Sequence, residues 1–149
     1  MPELNPREIL NHLIETCKDG ERGFRHAAGL VTHWAMKSEF THAADQRARF
    51  ATDLLPHAHR FGGAATGDGT AAASMHRQWM DVTNRLSGHN DRLILTEARR
   101  GDSVTVLAFK SAVEGALPAT VRDLVEHEYA EVCRTHERLD ELDRLVQAN

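Results

Sequence analysis

Three glutamates stand where apolar side chains are due. In residues 18–28, KDGERGFRHAA, Glu21 interrupts the series Leu10, Ile14, Cys17, Phe24, Ala28, Val31 and Ala35, whose spacings of four and three mark a bundle seam. Glu97 holds the same kind of position in a series through Leu93, Gly101, Val104 and Ala108. Glu128 does so among Val121, Val125, Val132, Thr135, Leu139, Leu142 and Val146. A further stretch supplies Asp53 and His57, one helical turn apart. An unpaired buried carboxylate is unfavourable, so such groups neutralise, find hydrogen-bonding partners or bind a metal. Carboxylate oxygens with an imidazole nitrogen suit Fe or Mn, and the candidate metal ligands are therefore Glu21, Asp53, His57, Glu97 and Glu128. The competing expectation is a set of core carboxylates held by Arg47, His57, Arg100, His136 or water.

Helices must position these groups. Asn5, Pro6 and Glu8 form a helix start: an N-cap, a proline at the first helical position and a glutamate to complete a capping box. Four long helices are expected, over residues 6–37, 41–61, 90–114 and 118–148. The second carries Ala51, Leu54, Ala58 and Phe61 on its seam and Pro56 in its interior, where a backbone donor is missing. After the Gly-rich stretch 62–70, which lacks a phosphate-loop pattern, a shorter helix is expected over 71–86, with Met75, Trp79, Val82 and Leu86 on one face. At 1.5 Å per residue it would be about 24 Å long, enough to cross much of a bundle. Trp34 and Trp79 are expected as packing anchors. No strand, repeat or low-complexity tail is expected.

The bulk properties agree with one soluble domain over residues 1–149. The chain has 149 residues, 41% hydrophobic and 27% charged, enough for one core and too few for two. A formal net charge of −4 gives no basic footprint for nucleic acid. The sequence has no membrane-length apolar run and no signal-peptide pattern at MPELNPREIL, so a cytoplasmic location is expected. Cys17 and Cys133 both fall in helical patterns and are expected as free thiols.

Several stretches resemble a bacterial ferritin-like four-helix-bundle family of unassigned function, domain of unknown function 2383. They are IETCKDGERGFR (14–25), HRQWMD (76–81), LTEARRGDS (95–103), LP with VRDLV (117–125) and THERLDEL (135–142), spread over nearly the whole chain. The resemblance implies an all-α, ferritin-like four-helix bundle with a long helical crossover between bundle helices 2 and 3. It implies no activity. Di-iron and di-manganese carboxylate bundles use a Glu-x-x-His on each of two helices. None of the five candidates belongs to that pattern; the nearest substitutes are Asp53-x-x-x-His57 and the cluster of His127, Glu128 and Glu131.

Two functions are therefore expected to compete. One is a noncatalytic bundle that self-associates as a homo-oligomer or binds a partner, its polar core layer fixing helix register. The other is a dinuclear Fe or Mn protein acting in metal handling or oxygen and peroxide chemistry.

Overall fold

The computed structural model describes residues 4–63 and 90–148, and among them it contains four α-helices and no strand. They are α1 (Pro6–Leu30), α2 (Trp34–Arg60), α3 (Asp91–Glu114) and α4 (Ala119–Ala148). The expected start of α1 is present in full. Asn5 Oδ1 accepts from the Glu8 amide at 2.9 Å, and the Asn5 amide donates to the Glu8 carboxylate at 3.1 Å. Asn90 caps α3 in the same way, accepting from the Leu93 amide at 2.9 Å.

The first helix ends seven residues earlier than its periodicity suggests. Backbone at Val31 is extended, and the chain turns into α2 over three residues. The cause lies on another helix: the Asp91 carboxylate accepts from the Thr32 amide (2.9 Å), the Thr32 hydroxyl (2.7 Å) and the His33 amide (2.8 Å). Desolvation pushes its pKa up, but these bonds outweigh that and hold it below the ordinary range. Trp34, expected as a packing anchor, is instead 79% exposed and stacked on His33. At the far end, α2 runs through Pro56 and stops at two glycines. Gly62 takes the left-handed conformation, and the Gly63 amide bonds the Ala58 carbonyl at 2.8 Å, a glycine-dependent helix ending. A methyl on Gly63 would collide with the Asn11 side chain, so α2 finishes hard against the beginning of α1.

Helix directions follow from such contacts. Arg25 meets Asp45 and Gly63 meets Asn11, so α1 and α2 are antiparallel. Thr32 meets Asp91, and Gly115 approaches Ile9, so α1 and α3 are antiparallel as well. Arg99 bonds Asp140 while Glu39 bonds Arg138, which sets α4 against both α3 and α2. Hence α2 and α3 run the same way. Gly63 and Asn90 consequently lie at opposite ends of the bundle, as a long crossover requires. The expected crossover helix over 71–86, the Gly-rich stretch from residue 64 and the HRQWMD stretch lie outside the described residues.

The core is two apolar clusters. One gathers Leu10, Leu13, Cys17, Phe50, Leu54, Phe109, Val125 and Val132. The other gathers Phe24, Met36, Phe40, Ile94, Leu95, Leu139 and Leu142. Between them lies a layer of polar side chains, and the chemistry of the molecule is concentrated there.

Candidate functional site

The layer is built where α1 narrows. Gly20 is buried against the stem of an arginine from α2, Arg47, which a methyl group there would meet at an ordinary contact distance of 3.6 Å. Arg47 is fully buried. Its Nη1 donates to Asp102 Oδ1 at 2.7 Å, its Nε donates to Gln46 Oε1 at 3.1 Å, and its guanidinium lies 5.6 Å from the centre of the Phe24 ring. The second oxygen of Asp102 is 2.9 Å from His136 Nδ1. Gln46 Nε2 donates to the Thr135 hydroxyl at 3.0 Å, and Arg138 donates to that hydroxyl at 3.1 Å and to Glu39 at 3.2 Å. One connected series, His136–Asp102–Arg47–Gln46–Thr135–Arg138–Glu39, thus ties α2, α3 and α4 together.

Its charges are tuned by their neighbours. Desolvation pushes the Asp102 carboxyl up, but Arg47 and then His136 outweigh it and hold it below the ordinary carboxylate range. The hydrogen bond to Asp102 raises the His136 pKa against partial burial.

The five expected ligands occupy different surroundings. Glu128 is on the core face, 2% exposed, as its seam position indicates. Neither of its carboxylate oxygens has a hydrogen-bond partner. Desolvation, followed by the charges of Asp53 and Glu131, pushes its pKa up to about 8 against the opposing effect of Arg49. It therefore holds its proton well above the ordinary carboxylate range. Glu21 and Glu97 are off the core stripe by one position each. Gly20 and Ala98 are buried in their places, while Glu21 pairs with Arg25 at 2.9 Å and Glu97 with Arg100 at 3.6 Å. Asp53 is exposed, whereas His57 is half-buried with its Nδ1 enclosed and without a partner. Among the described residues no three His, Cys, Asp or Glu side chains are grouped so as to hold a metal ion. The chain's Glu-x-x-His stretch, Glu39 to His42, offers nothing further, since Glu39 is bound to Arg138 and His42 is exposed.

Glu21→Gln tests the new placement. The Glu21–Arg25 pair is 29% and 46% exposed, so its loss should lower stability by less than about 1 kcal/mol. A thermal melt displaced by ten degrees would show Glu21 to be a core group after all.

Asp102 is the residue of the buried layer that periodicity missed. It lies beside Gly101 in RRGDS, and the available signal was a second acidic residue next to a small residue on the inner face. Arg47 and His136 were legible as partners, though their acceptor was not. Away from the layer, an apolar cleft of about 250 Å³ between α1 and α3 is lined by Ile9, His12, Leu13, Ala108 and Ala112. Burial lowers the pKa of His12 there. No helix among the described residues is long and apolar enough to cross a membrane.

Comparison with known families gives one finding. A family model described as Domain of unknown function (DUF2383) matches residues 6–115, from the start of α1 to the end of α3. A search of curated proteins finds no match.

Proposed function

The chain belongs to the family described as Domain of unknown function (DUF2383), and from that premise we propose that it is a noncatalytic structural or interaction bundle of ferritin-like type. One observation carries the reading: the buried carboxylate of the layer is fully engaged, although Arg47 Nη2 and the Thr105 hydroxyl beside it are enclosed without a hydrogen-bond partner. Asp102 has both oxygens engaged, by Arg47 and His136, as expected of a device that fixes helix register rather than of a nest awaiting a ligand. A register shift of α2 or α3 would strand a charge in the core. The antiparallel hairpins and the separation of Gly63 from Asn90 support the ferritin-like connectivity. Free thiols at Cys17 and Cys133 suit the reducing cytoplasm.

The alternative, a dinuclear Fe or Mn protein, is favoured by a single observation, the partnerless buried carboxyl of Glu128. Elemental analysis of protein purified without added metal, together with melts in saturating Mn(II) or anaerobic Fe(II), separates the two. The bundle reading expects substoichiometric metal and an unmoved melting temperature. A tightly bound metal would raise that temperature by mass action, about 2.7 kcal/mol of stabilisation at a hundredfold excess over Kd, and would reject the reading.

A further inference from the structure

Two cations share the buried carboxylate of Asp102, and they differ in kind. Arg47 supplies a guanidinium enclosed within the core. His136 carries its charge only when protonated, and its side chain is 24% exposed, so it exchanges protons with solvent directly. We infer that the Asp102–His136 contact is a proton-operated latch, closed by the imidazolium and loosened when the ring is neutral, that governs how firmly α4 is held to α3. The inference goes beyond the register role of the layer and does not depend on the bundle being noncatalytic.

Geometry confines the latch to one seam. On α4, the neighbouring Thr135 is tied to α2 through Gln46 by groups that do not titrate, so at the layer the α2–α4 tie does not change with the imidazole; the titrating group elsewhere on that seam is Glu128, beside Asp53 and Arg49 of α2. The α3–α4 tie at the layer itself is the imidazole, while Arg99 holds Asp140 and Asp143 further along the same seam. The charged groups facing it are Asp102 and Arg99 on α3, Asp140 on its own helix and, behind Asp102, Arg47 on α2. Of these, Asp102 and Asp140 favour the imidazolium and Arg99 opposes it. The sign follows from the raised pKa. The contribution of the contact to stability is fully present below the unfolded value of 6.5 and is lost as pH rises through the folded value.

The decisive experiment combines an NMR titration of the His136 ring with hydrogen exchange of α4 amides, corrected for intrinsic rates, in wild type and His136→Gln. The ring midpoint is expected above 6.5. In the wild type, opening of amides around His136 should increase several-fold as pH passes that midpoint, while His136→Gln shows no corresponding step. Glu128 titrates in both proteins, so its effect cancels in the comparison. A midpoint at or below 6.5, or superimposable exchange profiles, would overturn the latch. If His136→Gln fails to fold, the wild-type midpoint and its coincidence with the exchange step decide the matter.

Discussion

Asp102→Leu should destabilise the bundle by about 3–5 kcal/mol, because it leaves the Arg47 guanidinium buried without its counter-charge. For a domain of this size that is a fall of roughly 6–20 °C in melting temperature. Arg47→Met should produce a loss of similar size, since the carboxylate is then stranded with only His136. The double variant is the informative one. With both charges gone, two flexible apolar side chains occupy the same space between the Phe24 and Phe50 regions, and stability should return to within about 1–2 kcal/mol of the wild type. The measurement is a denaturant double-mutant cycle. Losses that simply add in the double variant would show that each residue matters for its packing and that the ion pair is incidental.

Glu128→Gln should have the opposite sign and a strong dependence on pH. The neutral acid and the amide are nearly the same size and equally poor in partners, so the two proteins should be alike in stability near pH 4. The pKa of Glu128 is pushed from 4.5 to about 8. Between those values the folded state binds more protons than the unfolded state, so wild-type stability falls as pH rises, and the full penalty is present above pH 8. The variant escapes this and should be more stable by several kcal/mol at pH 9, on the scale of about 1.4 kcal/mol for each unit. Urea titrations at pH 4 and pH 9 provide the test. A difference that is the same at both pH values would mean that Glu128 is already ionised and paired, and that the core contains a partner for it.

These residues also mark where sequence reasoning succeeds. The start of α1 was legible because Asn5, Pro6 and Glu8 act on one another within a single turn. The seam of α4 was legible because its apolar positions continue without a break on both sides of Glu128. In α1 the spacing from Cys17 to Phe24 can be divided as four then three or as three then four. The first choice places Glu21 inside and the second Gly20; the structure takes the second, with Gly20 against Arg47 of α2, a neighbour the local spacing does not reveal. Glu97 and Ala98 pose the same ambiguity. The end of α1 was hidden for a related reason, since the acceptor for Thr32 and His33 is Asp91, 59 residues from Thr32 in sequence. Asp102 likewise acquires its meaning from Arg47, 55 residues away. Local chemistry could be read, whereas partners on other helices could not.

The ion pair between Arg47 and Asp102 also bears on how the chain reaches its native state. It joins the α1–α2 hairpin to the α3–α4 hairpin, so α1–α2 formed alone would present Arg47, and α3–α4 formed alone would present Asp102 with only His136 beside it, on the face that docking later buries. Water is stripped from both charges in one event, the docking of the two halves. An isolated half gains little by collapsing early, because its inner face is interrupted by a solvated ion. The pair is therefore expected to add to the docking barrier while rejecting misaligned encounters.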